Sequence, residues 1–293
     1  MLKTVAIYSK DKNHKTSEGV NRLVQEFFKR GIRVQLYQRS AESHVSGESG
    51  LVTERFSYLE NLKELPDMVF SVGGDGTFLE TVMKVRKSGI PIAGVNTGRM
   101  GFLANIPDGE IGKSIDMLCR GEYEIIERSL LEITDPSGLF EKEASAALNE
   151  VTIQKSDPSM ITINVFVDDA YLNTYWADGL IISTATGSTA YNLSVGGPIL
   201  SPEDESIIIS PISPHNLTIR PIVISGDSNL RLAMEGRSKE YLVTCDFRST
   251  RLPLEQEIKV RRAEDKLKTV MLKGHDFFST LRNRLMWGAD RRN

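Results

Sequence analysis

The sequence is poor in cysteine, in long apolar runs and in excess basic charge. Its two cysteines, Cys119 and Cys245, lie far apart without CxxC spacing, which excludes a zinc knuckle and a disulfide framework. Lys and Arg (36) do not outnumber Asp and Glu (39), so no basic field holds DNA or RNA. No run of about 18 apolar residues occurs, and the N-terminal stretch lacks a signal-peptide core. We expect a cytoplasmic protein that binds neither membrane nor nucleic acid.

Length and composition permit two globular domains. The chain has 293 residues, 40% of them hydrophobic and 26% charged, which are ordinary globular values. Up to about residue 121, short apolar runs alternate with helical patterns, which is typical of a parallel α/β sheet. The predicted strands are "TVAIYS", "IRVQLYQ", "DMVFSVGG" and "IPIAGVN", the predicted helices cover residues 17–30, about 77 onward and 109–120, and "RSAESHVSGESG" is a predicted exposed loop.

The pattern changes near residue 122. From there to about residue 270, β-branched residues alternate with polar ones between Asp, Pro, Gly and Ser turns, which predicts an all-β second domain. The closing stretch "GHDFFSTLRNRLMWG" has helical periodicity. It is predicted to be a helix with one apolar face made of Phe277, Phe278, Leu281, Leu285 and Met286.

A glycine turn, "GGDGT", follows the predicted strand "DMVFSVGG". Gly73 and Gly74 before a helix leave backbone amides free at a positive helix end, which is a natural anion site. Neither GxxxxGK[ST] nor GxGxxG fits the turn. Asp75 and Thr77 can simply cap the helix. Alternatively, Asp75 accepts the proton of an attacking hydroxyl or lies near a cation that neutralises phosphates, and either role indicates phosphoryl transfer.

A second glycine cluster, "GVNTGRMGF" at residues 94–102, also follows a predicted strand. Ligand sites in open α/β sheets lie at the carboxyl ends of strands, so this turn can face the same ligand as "GGDGT". An ordinary strand-to-helix turn is the other interpretation. Arg99 in this cluster either balances phosphate charge or is solvated.

The β-rich half contains one long stretch suited to a phosphorylated, polyhydroxylated ligand, "WADGLIISTATGSTAYNLSVGGPIL". Its small hydroxyl residues and glycines offer short donors and close backbone approach, and Tyr191 can stack on or bond to a ribose. The neighbouring pair Asn149 and Glu150 can read a base edge and bind ribose hydroxyls, although a dipeptide alone is a weak signal. For His215 both a structural and a chemical role remain open.

Taken together, these motifs resemble the NAD kinase family. In family order the chain has "GGDGT" at 73–77, "NTG" at 96–98, "NE" at 149–150, "DG" at 178–179, "TGSTAY" at 186–191 and "PH" at 214–215. The resemblance covers about residues 1–290. It implies an ATP-dependent enzyme that makes NADP from NAD, using a divalent cation such as Mg²⁺. It also implies a homo-oligomer, usually a dimer or tetramer.

The resemblance implies a fold of two domains. A Rossmann-like α/β domain at residues 1–121 would be joined by a last helix, 271–293, that returns to it. A β-sandwich-like, NAD-binding domain would occupy residues 122–270.

Individual roles follow position by position from the resemblance. Asp75 matches the catalytic aspartate, which contacts the adenosine 2′-hydroxyl and accepts its proton, and Gly76 belongs to the same loop. Asn149 and Glu150 match the pair that holds the adenosine portion and ribose hydroxyls, and Asp178 matches an aspartate near the nicotinamide. The segment that lines the dinucleotide is matched by Thr189, Ala190, Tyr191, Asn192 and Ser194, with Thr186, Trp176 and His215 as further candidates.

The chain departs from the family pattern at four positions. Ala185 stands where proline is frequent, and Trp176 where many bacterial members have arginine, which leaves the choice between NAD and NADH open. Phe247 and Arg248 replace a small residue and a glutamine, so the family's contacts from that strand do not carry over.

Proteins with two other functions would contain part of this set of motifs. A lipid kinase of the diacylglycerol type has "GGDGT" but has no need of "TGSTAYN", and no clear basic amphipathic helix is present. A non-catalytic NADP sensor would keep the pocket, yet gains nothing from a carboxylate that faces a phosphate.

Overall fold

A computed structural model describes residues 2–10, 13–37, 52–57, 59, 62–98, 101–140 and 145–286. The predicted loop at residues 39–50 and Arg99 lie outside the described residues. The chain forms two compact units, the first of Met1–Glu127 with Leu267–Asn293 and the second of Arg128–Lys266. The expected boundaries, 121/122 and 270/271, lie close to these divisions without coinciding with them.

The helices and strands are numbered in chain order within the described residues. The strands are β1 (Thr4–Tyr8), β2 (Arg33–Tyr37), β3 (Val52–Phe56), β4 (Met68–Gly73), β5 (Ile92–Asn96), β6 (Ile106–Pro107), β7 (Tyr123–Arg128), β8 (Leu131–Asp135), β9 (Ala146–Ala147), β10 (Glu150–Lys155), β11 (Ile161–Val167), β12 (Ala170–Ala177), β13 (Gly179–Ser183), β14 (Ile207–Ile212), β15 (Ile222–Ile224), β16 (Leu230–Gly236), β17 (Glu240–Cys245), β18 (Arg248–Pro253), β19 (Ile258–Arg262) and β20 (Leu267–Leu272). The helices are α1 (His14–Lys29), α2 (Asp75–Val85), α3 (Ile111–Cys119), α4 (Tyr191–Ser194) and α5 (Phe277–Leu285).

The first unit is built on one sheet with the order β3-β2-β1-β4-β5-β20-β7, and β6 pairs with β5. Strands β1 to β5 pair in parallel, and β20 is parallel to β5. Helix α1 buries Val20, Leu23, Val24 and Phe27, a spacing that forms one helical face against the sheet. This arrangement confirms the expected α/β domain.

Helix α1 begins three residues earlier than the sequence pattern predicted. Asn13 precedes it with extended backbone, and its side chain accepts a hydrogen bond from the Thr16 amide at 2.9 Å. An asparagine cap fixes a helix start without any apolar signal, and for this reason the periodicity missed it. Helix α2 likewise starts at Asp75, not at Thr77, and α3 is shorter than predicted, with a short 3-10 turn, Asp108–Glu110, before it.

The second unit consists of two antiparallel sheets of six strands each. One has the order β15-β14-β13-β10-β17-β18 and the other β12-β11-β16-β19-β8-β9. Inward side chains of both sheets form one apolar core that includes Ile153, Ile163, Leu232 and Tyr241. This confirms the expected β-sandwich-like domain. The sequence pattern missed β12, β14 and β18. Strand β18, "RSTRLP", carries polar side chains on its solvent face.

Helix α5 is part of the first unit, as the resemblance implied, but its apolar face is not buried as predicted. Only Leu281 is buried among its residues, whereas Phe278 is 63% exposed and Met286, which follows the helix, is 71% exposed. The inward face instead includes Arg284, whose hydrogen bond to the backbone at Gly101 fixes the rotation of the helix. Among the described helices, none is both long and apolar enough to cross a bilayer.

Candidate functional site

The two glycine turns of the first unit lie at the same edge of the sheet. Strands β4 and β5 are parallel neighbours in which Gly73 pairs with Asn96, and the Thr97 amide donates to the Gly73 carbonyl at 3.4 Å. Both strands therefore end side by side, where ligand sites of open α/β sheets are found. The structure thus brings together the "GGDGT" turn and the start of the "NTG" turn.

Asp75 does not cap its own helix. Gly74 occupies the N-cap position and Asp75 is the first residue of α2. The Asp75 carboxylate reaches to residues 102–104, where Oδ2 accepts from the Phe102 amide at 2.8 Å and Oδ1 accepts from the amides of Leu103 and Ala104, both at 3.1 Å. The half-buried carboxylate therefore holds a loop 27 to 29 residues away in sequence. This excludes the helix-capping interpretation for Asp75.

Gly101 allows this close approach. A Cβ atom at Gly101 would lie 1.8 Å from Asp75 Oδ1, so no larger residue fits without displacing the carboxylate. The Gly101 carbonyl accepts a hydrogen bond from Arg284 Nη2 at 2.7 Å. Burial lowers the pKa of Arg284, and the negative charge of Asp75 opposes that shift. Sequence reasoning missed Arg284 because it lies 183 residues from its partner.

Asn96 holds the same loop from the neighbouring strand. The residue is buried, its Oδ1 accepts from the Gly98 amide at 2.8 Å, and its Nδ2 donates to the Ala104 carbonyl at 3.4 Å. Next to it lies a cavity of about 360 Å³ whose lining includes Asn96, Thr97, Gly98 and Lys15. Lys15 supplies a cation at the beginning of α1, and the sequence reasoning did not single it out.

In the second unit, Asn149 and Glu150 lie at the start of β10 and are held by Asp246. Asp246 Oδ2 accepts from the Leu148 amide at 2.8 Å, and Oδ1 accepts from the amides of Asn149 at 2.8 Å and Glu150 at 3.2 Å. Arg248, which is buried next to Asp246, donates from Nη2 to the Ala146 carbonyl. The sequence analysis had not identified Asp246.

The Glu150 carboxyl group is buried. The residue is 9% exposed, and within the described part of the chain its Oε2 atom is buried without a hydrogen-bond partner. Burial first, and the nearby Asp246 charge second, raise the pKa of Glu150 to about 8, while a hydrogen bond from the Tyr191 amide opposes the rise. A carboxyl oxygen in this state can accept a hydrogen bond from a ligand.

The "TGSTAY" segment packs directly against Asn149. It forms a 3-10 turn, Thr186–Thr189, in which a Cβ atom at Gly187 would lie 2.1 Å from the Asn149 carbonyl oxygen. Thr186 is buried, and its Oγ1 accepts from Arg128 Nη1 at 3.2 Å, a partner that sequence reasoning missed. The glycine thus permits contact between the turn and the start of β10.

The rest of the segment divides into exposed and buried positions. Thr189, Ala190 and Tyr191 are half-buried, and Ser194 is exposed. Tyr191 Oη accepts from Gln154 Nε2 at 3.3 Å, so the side chain runs along β10. Asn192 is fully buried, and its amide group bonds to the Ser188 and Pro198 carbonyls and to the Ser210 hydroxyl. The Asn192 side chain therefore supports the turn from inside.

Asp178 lies at the opposite end of β10 from Glu150. Glu150 pairs with Ser183, whereas the Lys155 amide donates to the Asp178 carbonyl, so the two carboxylates are separated by about 17 Å of strand. Asp178 Oδ1 is 2.5 Å from Lys155 Nζ.

Trp176 and His215, two further predicted site residues, contact each other through their backbones. The His215 amide donates a hydrogen bond to the Trp176 carbonyl at 2.9 Å, and both side chains are exposed.

A protein-made metal site is not present among the described residues, where no group of three or more His, Cys, Asp or Glu side chains is placed to hold a metal ion. Asp75 is the carboxylate of the glycine turn, and both of its oxygens already accept amide hydrogen bonds.

Comparison with known families identifies both halves of the chain. Residues 5–123 match the ATP-NAD kinase N-terminal domain. Residues 148–272 match the ATP-NAD kinase C-terminal domain.

Individual proteins are similar over almost the whole chain. The NAD kinase of Flavobacterium psychrophilum is 39% identical over 99% of this chain and 99% of its own. An NAD kinase from Archaeoglobus fulgidus, solved in complex with ATP, is 25% identical with a TM-score of 0.73, over 97% of this chain and 98% of its own. Yeast NADH kinase, solved with NADH, has the same fold, with a TM-score of 0.86 at 22% identity over 99% of this chain and 89% of its own.

Proposed function

Because the chain belongs to the ATP-NAD kinase family, we propose that it transfers the γ-phosphoryl group of ATP to the 2′-hydroxyl of the adenosine ribose of NAD. The products are NADP and ADP. The observation that carries the proposal is the Asp75 carboxylate, which is fixed by three backbone amides inside a glycine turn at the carboxyl edge of a parallel sheet.

Asp75 would orient and deprotonate the attacking hydroxyl. A carboxylate offers about four acceptor positions, and the amides of residues 102–104 use three of them. The remaining position accepts the 2′-hydroxyl, and the proton moves to Asp75 as the bond to phosphorus forms. Fixing the carboxylate in advance means that no rotamer freedom is lost when the substrate binds.

The second unit would be the NAD-binding domain. Glu150 with Asn149 at one end of β10 and Asp178 at the other suit the adenosine and nicotinamide ends of an extended dinucleotide. The half-buried residues of the turn, Thr189 to Tyr191, would line the ligand between those ends. Gly76 and Ser194, Trp176 and His215 remain further contacts that we propose from the family pattern.

ATP would donate the phosphoryl group, with a divalent cation, expected to be Mg²⁺, bound to its phosphate oxygens and offsetting their charge. Since the described residues offer no cluster that fits the ion, no step of this mechanism is assigned to it. The backbone amides of Gly73, Gly74 and Gly76 at the start of α2, together with Thr77, would bind phosphate oxygens.

We also propose a homo-oligomer, a dimer or tetramer, located in the cytoplasm. Large apolar side chains are exposed on the second unit, including Trp176 at 46%, Val223 at 43% and Leu217 at 84%, and a subunit interface would cover such a surface. Light scattering after size exclusion tests this, and a monomer at micromolar concentration contradicts it.

The test of function is incubation with ATP, Mg²⁺ and NAD, with NADP detected through an NADP-specific dehydrogenase. Steady NADP formation is expected. Tight NADP binding without turnover indicates the sensor instead, and phosphorylation of diacylglycerol in vesicles indicates the lipid kinase. Parallel reactions with NADH in place of NAD show whether a protein with Trp176 at this position also accepts the reduced dinucleotide.

A further inference from the structure

The turn between β17 and β18 contains an aspartate whose contacts all lead to the candidate nucleotide site. Asp246 sits in this turn with a positive φ of 53°, a conformation that aspartate tolerates better than most residues. We propose that Asp246 is a positioning residue for nucleotide binding, because it holds the segment that carries Asn149 and Glu150. The inference rests on the proposed function only for the identity of the ligand.

The segment depends on Asp246 for its amide hydrogen bonds. Strand β9 ends at Ala147 and β10 begins at Glu150, so the amides between them lie outside regular pairing. Asp246 accepts from all three amides of residues 148–150. Buried amides without an acceptor cost roughly 1–3 kcal/mol each, and therefore the loss of this carboxylate would let the segment shift.

The opposite side of the segment is fixed by the "TGSTAY" region. The Asn149 carbonyl accepts from the Thr184 amide at 2.9 Å, and the Leu148 carbonyl accepts from Thr184 Oγ1 at 2.6 Å. Asp246 thus holds the segment from one side and Thr184 from the other. The side chains of Asn149 and Glu150 would then meet the ligand, and among the described residues Glu150 Oε2 is buried without a hydrogen-bond partner.

Arg248 supports the charge of Asp246. Burial raises the pKa of Asp246, and its three amide hydrogen bonds and the Arg248 guanidinium oppose the rise. The Glu150 carboxyl accepts a hydrogen bond from the Tyr191 amide, and the nearby charge of Asp246 adds to the effect of burial in raising the Glu150 pKa. The Cys245 thiol nearby stays neutral, since burial raises its pKa to about 12.

The effect of Asp246 on the Glu150 pKa predicts a pH dependence of NAD binding, which a purely structural role of Asp246 would not produce. Ionised Glu150 accepts ribose hydroxyls more strongly than the neutral acid. NAD affinity should then rise as pH increases through the Glu150 pKa of about 8. Asp246→Asn removes a neighbouring charge and should shift this rise to lower pH by roughly one unit.

The experiment compares wild type, Asp246→Asn and a matched control, Asp168→Asn, by titration calorimetry with NAD and with ATP from about pH 6 to about pH 9. Asp168 also lies in a hairpin turn at positive φ (49°) and accepts a backbone hydrogen bond, from the Asn229 amide at 2.8 Å, but in the other sheet. Asp246→Asn should weaken NAD binding about tenfold or more and leave ATP binding nearly unchanged. Asp168→Asn should change neither.

The possible results distinguish the positioning role of Asp246 from the proposed kinase activity. An unchanged NAD dissociation constant and pH midpoint in folded Asp246→Asn overturn the positioning role, whatever the turnover. Wild type that binds NAD but forms no NADP overturns the proposed kinase activity and leaves the positioning role open to the same titration. If Asp246→Asn does not fold, hydrogen exchange on the wild type decides, since amides 148–150 should be protected and exchange at open-loop rates overturns the inference.

Discussion

Each compact unit contains an aspartate that accepts hydrogen bonds from three consecutive backbone amides, and the two aspartates hold their loops in the same way. Asp75 binds residues 102–104 and Asp246 binds residues 148–150. An arginine Nη2 donates to a carbonyl just before each loop, from Arg284 to Gly101 and from Arg248 to Ala146.

The two arrangements differ in which side chain is left for the ligand. In the first unit, the aspartate itself lies in the glycine turn, and the loop it binds contributes mainly apolar side chains. In the second unit, the loop carries the polar pair Asn149 and Glu150, and the aspartate lies behind it. The same pattern of hydrogen bonds, from three consecutive amides to one aspartate, therefore has two uses. In the first unit it fixes Asp75, the candidate catalytic residue, and in the second it fixes the backbone that carries Asn149 and Glu150.

Replacing Asp75 is expected to have the largest effect. Asp75→Asn should lower kcat for NADP formation about 100-fold or more, because the amide cannot accept the hydroxyl proton. Calorimetric NAD binding should change little. Asp246→Asn should show the reverse: its NAD dissociation constant should change more than its kcat. Near-normal turnover in Asp75→Asn would contradict the role of Asp75 as proton acceptor and leave it, like Asp246, with a loop-holding role only.

Gly101→Ala tests whether the position of the Asp75 carboxylate matters, without changing its chemistry. The added Cβ would overlap Asp75 Oδ1, so we expect a loss in kcat of about 30-fold from displacement of the reacting group. Gly109→Ala is the control, because open space surrounds that position in the same unit. Equal activities of the two variants would show that the loop contact is dispensable.

Arg284→Ala should reduce kcat/KM about tenfold, because the loop loses a charge-assisted hydrogen bond. Arg282 lies on the same helix but is exposed, and Arg282→Ala should behave as wild type. Arg284→Lys should recover part of the loss. If Arg284→Ala lowers thermal stability without changing kcat/KM, Arg284 has no role in positioning the loop for catalysis.

The smallest expected effect concerns stability and pH. The folded-state pKa of Glu150, about 8, lies above its unfolded value, so its contribution is present at low pH and lost as pH rises toward 8. Relative to Glu150→Gln, wild type should lose about 1 kcal/mol of unfolding free energy between about pH 6 and about pH 7. Parallel urea titrations of the two proteins measure this, and equal pH slopes would contradict the burial of the carboxyl group.

The sequence was sufficient for the fold class and for the local motifs, because strands, turns and glycines act over a few residues. "GGDGT" and "TGSTAY" are contiguous, and each folds into one turn whose neighbours are set by the sheet. The supporting residues could not be found in the same way. Arg284 lies 183 residues from Gly101, and Asp246 lies about 97 residues from Asn149, so only the folded chain brings them together.

Two side chains are oriented by polar contacts that the residue pattern does not predict. The apolar face predicted for α5 is largely exposed: Arg284 contacts the Gly101 carbonyl, and Phe278 points outward. The Asn192 side chain, in a segment predicted to line the dinucleotide, is fully buried with internal partners, and a contact of this residue with NAD stays a prediction. The Arg284 contact spans 183 residues of sequence, whereas the Asn192 side chain bonds to carbonyls only 4 and 6 residues away.

Transfer of label from γ-³²P-labelled ATP to NAD is a direct test of the proposed reaction and of the role of Asp75. Wild-type protein should transfer the label to the 2′-position of NADP, with one ADP formed for each NADP, and Asp75→Asn should do so at least about 100-fold more slowly. Label that appears only as inorganic phosphate, or equal rates for the two proteins, would contradict this prediction.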